Sequence, residues 1–204
     1  HDALRQARFS AGERVLIHAV GSGVALAAVQ LVRALGGVPI GTARSDAKLD
    51  AAHAVGLEHG IVPARDADGA PGFAEAVLAA TGGHGADVVL DLVGGAYVGE
   101  SVRAMASGGR LVLIGLLAGR STTLDLARVL TRRLQITGTV LRSRSLPERI
   151  TYTRAFVQEV VPLLATGQVR LPVAATYPLA EIAAAHALLE SNEVAGKVAV
   201  AIGT

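Results

Sequence analysis

Gly21, Ser22 and Gly23 stand in the middle of an uncharged run, Val15 to Val32, bounded by Arg14 and Arg33. Three chemistries fit such a run: burial in lipid, a nucleophilic serine, or a cradle for phosphate. A span needs roughly 20 apolar residues in one helix. Here the left half, "ERVLIHA", is β-branched and the right half, "GVALAAVQLVRALG", is alanine-rich. The change of period marks a strand and a helix joined by a turn. A nucleophile elbow needs small residues two before and two after its serine. Those positions hold Val20 and Val24, whose side chains clash in such a turn. A phosphate cradle needs a glycine turn that lets backbone N–H groups approach the anion, at the positive end of a helix. Gly21, Ser22, Gly23 and Val24 supply that turn, and no acidic side chain opens the helix to repel an anion.

In a strand–helix–strand unit of this kind, nucleotide choice is made at the end of the second strand, about 20 residues on. Counting from Gly23 reaches Ala43, in "TARSDAK". No carboxylate stands at Ala43 to bind a free ribose. Arg44, Ser45 and Lys48 follow instead, and two cations with a hydroxyl suit an extra 2′-phosphate, so NADPH is expected over NADH. Asp46 is the one departure. Ser45 also reads as a helix N-cap.

The elements that must position these residues alternate along the chain. Expected strands cover 13–19, 38–43, 59–64, 86–95, 109–119, 135–145 and 196–203. Expected helices cover 23–36, 45–56, 70–83 with proline in the first turn, 96–109, 124–134, 147–167 and 180–192. "HDALRQARF" reads as the interior of a helix and the sequence as a fragment. Short apolar strands alternating with helices predict right-handed crossovers and an α/β, doubly wound parallel sheet, the Rossmann fold.

Composition narrows the function. The 204 residues carry 19 Lys and Arg against 17 Asp and Glu, a net charge of +2, with 3% aromatics. That balance gives no argument for nucleic acid, because base stacking wants aromatics beside the cations. Arg128, Arg132, Arg133, Arg142, Arg144, Arg149 and Arg154 cluster, and read as solvated helix faces with one or two turned to a phosphate. Cysteine is absent and the six histidines show no metal spacing, so no metal site is expected. With no charged segment before an apolar run at the start, and no span, the expected location is the cytoplasm. His18, at the end of a buried strand, reads as a hydrogen-bonded core residue rather than a ligand.

Taken together, "GERVLIHAVGSGVALAAVQLVRALGG", "GTARSDAKL", "GADVVLDLVGG", "GGRLVLIGLLAG", "TGTVLRSRS" and "YPLAEIAAAHALLESNEVAGKVAV" resemble a zinc-independent quinone oxidoreductase. That group is the zeta-crystallin-like branch of the medium-chain dehydrogenase/reductases, and the likeness covers nearly the whole chain. His18, Gly21, Ser22, Gly23 and Val24 match the family's turn, whereas Ala25 replaces its last glycine. The resemblance implies further cofactor contacts at Val93 and Gly94, at Gly115 and Leu116, at Leu141 and Arg142, and at Lys197. It implies a dinucleotide-binding domain over 1–167. A tail, 168–204, would return toward a GroES-like domain that does not appear among these residues, leaving 168–178 poorly supported. The family's tyrosine after the third strand is replaced by Val62-Pro63-Ala64.

The implied reaction is hydride transfer from NADPH to a quinone or an α,β-unsaturated carbonyl. No side chain presents itself as the catalytic acid. Tyr97, Tyr152 and Tyr177 read as packing residues. The implied partners are the small-molecule acceptor and a second copy, joined through the sheet edge at "QITGTVL". Other functions stay open: a non-catalytic NADPH-binding or dimerisation module, and an enoyl-reductase segment of a larger synthase. An S-adenosylmethionine-dependent methyltransferase shares the architecture but wants an acidic residue entering the loop, where this chain has Ala19-Val20.

Overall fold

A computed structural model describes residues 1–203. In chain order the elements are α1 (Asp2–Gln6), β1 (Arg14–Ile17), α2 (Gly23–Ala34), β2 (Val38–Thr42), α3 (Asp46–His53) and β3 (His59–Ile61). A hairpin, β4 (Ala64–Arg65) and β5 (Pro71–Gly72), precedes α4 (Ala74–Ala80), β6 (Ala86–Asp91), α5 (Ala96–Ala104) and β7 (Met105–Leu113). Then come α6 (Leu126–Thr131), β8 (Gln135–Gly138), α7 (Leu146–Glu159), α8 (Val161–Ala165), β9 (Val173–Pro178), α9 (Ile182–Glu190) and β10 (Lys197–Ala201).

The central sheet has six parallel strands in the order β3-β2-β1-β6-β7-β8. The order reverses between β1 and β6, and a crevice at such a switch point is where doubly wound sheets bind ligands. Strand side chains alternate between faces. Val15 and Ile17 pack with α2 on one side, and Leu16 packs with α4 and α5 on the other. Val88 and Leu90 of β6 repeat the first face, and Val89 the second. This two-sided burial explains the near-continuous apolar runs of β1 and β6.

Several elements differ from the sequence expectation, each for a local reason. Pro71 lies in β5, not in a helix first turn, and α4 starts only at Ala74. Its first amides are satisfied from outside: Glu100 Oε1 accepts from the N–H groups of Phe73 and Ala74, both at 2.9 Å. The helix expected over 96–109 stops at Ala104, because Met105 and Ala106 are buried as the start of β7. The long helix expected over 147–167 breaks at Val160. Pro162 has no N–H to continue the ladder, and its ring collides with the preceding turn. β8 ends at Gly138, so Leu141 and Arg142 lie in an exposed loop rather than a strand. β7 likewise ends at Leu113 instead of running on through 119.

That loop after β8 is tied to the N-terminal helix. Arg144 pairs with Asp2 at 2.7 Å and lies over the Tyr152 ring at 3.9 Å. Arg5 and His1 pair with Glu159 of α7. Arg128 donates from its guanidinium to the carbonyls of Val102 and Arg103. The clustered arginines thus fasten elements to one another where they have partners.

β9 and β10 form a separate two-stranded parallel sheet. Against the expectation of weak support over 168–178, the Gln30 side chain brackets Arg170. It donates to the Arg170 carbonyl at 2.9 Å and accepts from its N–H at 2.8 Å. Leu171 and Val173 nevertheless remain exposed.

Candidate active site

A cleft of about 740 Å³ opens at the C-terminal ends of β1, β2 and β6. Its floor is the turn after β1. Ser22 caps α2, its Oγ accepting from the Ala25 N–H at 3.3 Å. A cap of this kind is worth about 1 kcal/mol. Ser22→Ala is therefore expected to lower stability by about that amount in chemical denaturation. Two flexible lysine stems lie against the glycines. A Cβ at Gly21 would lie 2.8 Å from Lys48 Cδ, and one at Gly23 would lie 2.7 Å from Lys197 Cε. Ala25 is fully buried in the core and is not on the cleft wall. Its methyl therefore packs beneath the turn and leaves the crevice open.

The tail forms part of this site. The Gly196 N–H donates to the Gly21 carbonyl at 3.0 Å, and Ser22 and Gly196 form a parallel bridge. Lys48 Nζ donates to Asn192 Oδ1 at 3.3 Å. Asn192, Gly196 and Lys197 all line the cleft.

Four cations line it: Arg44, Lys48, Arg65 and Lys197. No carboxylate does, and Asp46 is exposed elsewhere on α3. None of the four cations is in an ion pair among the described residues. Burial, and then the Arg44 charge, lower the pKa of Lys48. A cleft with this charge pattern concentrates anions.

On the other side of the switch point, Asp91 is fully buried at the end of β6. Its Oδ1 accepts from the N–H groups of Val93 at 2.7 Å and Gly94 at 2.9 Å, which fixes that turn. The Ala118 N–H donates to the Val93 carbonyl at 2.8 Å, joining the turns after β6 and β7.

The structure brings Gly21, Ser22, Gly23, Ala43, Arg44, Lys48, Val93 and Lys197 of the sequence-based set onto one cleft. Ser45 sits at the N-cap position of α3 without a side-chain cap bond, and neither it nor the half-exposed Val24 is on the cleft wall. Gly94 and Gly115 support the turns from behind. A Cβ at Gly115 would lie 2.5 Å from the Leu92 carbonyl oxygen. Leu117 and Ala118, rather than Leu116, line the wall, and Leu141 and Arg142 are not on it. Sequence reading missed Thr42, Arg65 and Asn192 and took Tyr97 for packing alone. Tyr97 is a buried neighbour of His18 and Phe73, yet it also lines the cleft.

His18 is the core residue its position implied. It is fully buried, with Nδ1 2.9 Å from Thr42 Oγ1 and Nε2 2.8 Å from Ser101 Oγ. Burial lowers its pKa to about 4, against a smaller opposing pull from Asp91.

With this geometry in view, comparison with known proteins is informative. The profile of the zinc-binding dehydrogenase family matches residues 23–159. The mycocerosic acid synthase-like polyketide synthase of Mycobacterium tuberculosis is 32% identical over 94% of this chain, which spans 9% of that protein. The pikromycin polyketide synthase component PikAII of Streptomyces venezuelae is 44% identical over 51% of the chain and 3% of its own length. Among solved structures, the quinone oxidoreductase of Thermus thermophilus, described also in complex with NADPH, superposes with a TM-score of 0.80 at 31% identity. That match covers 98% of this chain and 61% of the other. AibC gives 0.80 at 34% identity, over 99% and 53%. The chain thus spans little more than half of these solved proteins and a small part of the synthases. By its sheet order and by this match, it belongs to the zinc-binding dehydrogenase family and supplies that family's Rossmann-type nucleotide-binding portion.

Proposed function

We propose that this chain is the NADPH-binding part of an enzyme that transfers hydride, without zinc, to an electron-poor conjugated acceptor such as a quinone or an enone. The observation that carries this reading is the cleft at the switch point, with four cations and no carboxylate on its wall. The glycine turn would hold the diphosphate, with Lys197 beside Gly23. Arg44 and Lys48 would hold the 2′-phosphate. Val93 and the turn after β7 would face the nicotinamide half. When bound, the nicotinamide supplies the hydride, and the protein's task is to orient and screen it. Val93, Leu117 and Ala118 give an apolar stretch of the cleft wall. No side chain on this wall is assigned as the proton donor.

The family's name refers to zinc, but the residues here do not fit one. The chain has no cysteine, and among the described residues no three His, Asp or Glu side chains cluster closely enough to hold a metal ion. No step is routed through zinc.

A second reading, an enoyl-reductase segment of a larger synthase, is favoured by one specific finding. The chain aligns almost end to end with a short stretch of several polyketide synthases. The acceptor would then be an enoyl thioester, a conjugated carbonyl of the same class. Pairing of two copies through the free edge of β8 belongs to the quinone-reductase reading. No helix among the described residues is long and apolar enough to cross a membrane.

Fluorescence titration of the 204-residue chain with NADPH and NADH tests the cofactor assignment. Tighter NADPH binding is expected, and a folded chain that binds neither rejects it. Fused to an N-terminal domain from a family member, the chain is expected to oxidise NADPH with a quinone or with an enoyl thioester, and the faster acceptor separates the two readings.

A further inference from the structure

We propose that Arg65 and Tyr97 complete a subsite for the 2′-phosphate, with the β4–β5 hairpin as the arm that carries Arg65 to it. The proposal rests on the NADPH reading above and extends it to two residues that neither the glycine turn nor the end of β2 contains.

The hairpin is a built structure inserted between β3 and α4. Asp66 organises its tip. Its Oδ1 accepts from the N–H groups of Asp68 at 3.0 Å and Ala70 at 2.8 Å, and its N–H donates to the Ala70 carbonyl at 3.1 Å. Pro71 is buried and lines the cleft with Gly69. Arg65 Nη1 donates to the Gly69 carbonyl at 2.6 Å, so the guanidinium is held at the cleft rim with its remaining donors free for a ligand. Asp66 and Asp68 lie within three residues, yet neither forms an ion pair with Arg65 among the described residues. Among the described residues no carboxylate therefore occupies the guanidinium in an ion pair.

Tyr97 is the neutral half of the subsite. Its ring is fixed between His18, at 5.1 Å between centroids, and Phe73, at 5.4 Å. Only 8% of the residue is exposed, and that part faces the cleft. No bond of its hydroxyl appears among the described residues, although its buried polar neighbours are bonded, His18 to Thr42 and Ser101 included. Burial raises the phenol's pKa, which keeps it a donor at neutral pH, and the charges that oppose this are Arg65 and then Arg44. The Tyr97 and Arg65 side chains both line this cleft.

Charge balance favours a third phosphate. A dinucleotide diphosphate brings about two negative charges, and a 2′-phosphate adds roughly 1.5–2 more. Four cations without a carboxylate exceed what the diphosphate alone requires at the positive end of α2. The family's tyrosine after the third strand is missing here, where the chain reads Val62-Pro63-Ala64. A phenol from α5 and a cation from the hairpin stand at the cleft instead.

The test is competition of 2′-AMP and 5′-AMP, together with NADPH and NADH titrations, on the full chain and on Arg65→Ala, Arg65→Lys and Tyr97→Phe. Arg65→Ala is expected to weaken NADPH and 2′-AMP about tenfold, with NADH and 5′-AMP within about twofold of the parent. Arg65→Lys should restore part of the loss, and Tyr97→Phe, which keeps the ring, should weaken only the 2′-phosphorylated ligands. Equal losses for both ligand pairs, or none, would overturn the proposal while leaving the NADPH reading intact. If the unaltered chain, shown to be folded, binds neither NADPH nor 2′-AMP, the reading beneath it fails as well.

Discussion

Replacing Arg44 and Lys48 together with alanine is expected to weaken NADPH binding about 100-fold and to reduce the preference over NADH to the part that Arg65 and Tyr97 supply. Arg44 follows β2 directly and is exposed, so its charge is available to a ligand. Lys48 is half-buried, and its stem lies against Gly21. Burial and Arg44 both disfavour its charged form, so an anion between the two cations relieves their repulsion. Each contact with a phosphate is charge-assisted and worth about 1.5–3 kcal/mol, and two at the lower end of that range correspond to about 100-fold. The two side chains share one ligand, so the single variants should not add up to the double. Raising ionic strength should shrink the NADPH advantage in the parent and have a smaller effect in the double variant, where Arg65 remains. Nicotinamide fluorescence reads all of this. Equal losses for NADPH and NADH would place both cations on the diphosphate instead. Thermal unfolding of the double variant should stay close to the parent, because among the described residues Lys48 makes one side-chain bond, to Asn192.

The glycine turn between β1 and α2 was legible because it depends on local order. A β-branched run, a glycine turn and an alanine-rich run specify strand, turn and helix without reference to the rest of the chain. Cations just beyond β2 follow from the same unit. What stayed hidden depends on contacts far apart in sequence. Gly196 reaches Gly21 across 175 residues of chain, and Asn192 reaches Lys48, so in "NEVAGK" only Lys197 was legible, through the resemblance, and Asn192 and Gly196 were not. Arg65 escaped because its hairpin has strands of two residues, too short for any periodicity. Tyr97 was read as packing because its ring does pack, and only the placement of its edge shows a second role. The element ends that moved were those set by tertiary partners. Glu100 caps α4 from a neighbouring helix, and burial of Met105 against β6 cuts α5 short.

His18 links this hidden architecture to pH. It stands just past β1 and joins the end of β2, through Thr42, to α5, through Ser101. Thr42 lines the cleft, so the imidazole braces the wall that carries Ala43 and Arg44. In the folded chain its pKa is lowered to about 4 by burial. In the unfolded chain it is about 6.5. Between these values the unfolded state binds the proton and the folded state does not, so stability falls as pH falls through that window. Above about 7 the contribution is fully present, and below about 4 no more is lost. The span corresponds to about 3 kcal/mol. His18→Leu removes the titration but leaves the Thr42 and Ser101 hydroxyls without their partner. It is expected to cost about 2–3 kcal/mol at a pH of about 7.5. Measured by urea unfolding, its deficit against the parent should shrink steadily from about pH 7.5 to about 4.5, because only the parent carries this proton-linked loss. Parallel stability curves would show that His18 is not the group that titrates. The brace predicts that the NADPH affinity of the folded parent holds through this window and falls only near pH 4, where folded His18 itself takes up a proton. In His18→Leu the affinity near neutral pH should already be reduced, with a weaker dependence on acid from this source.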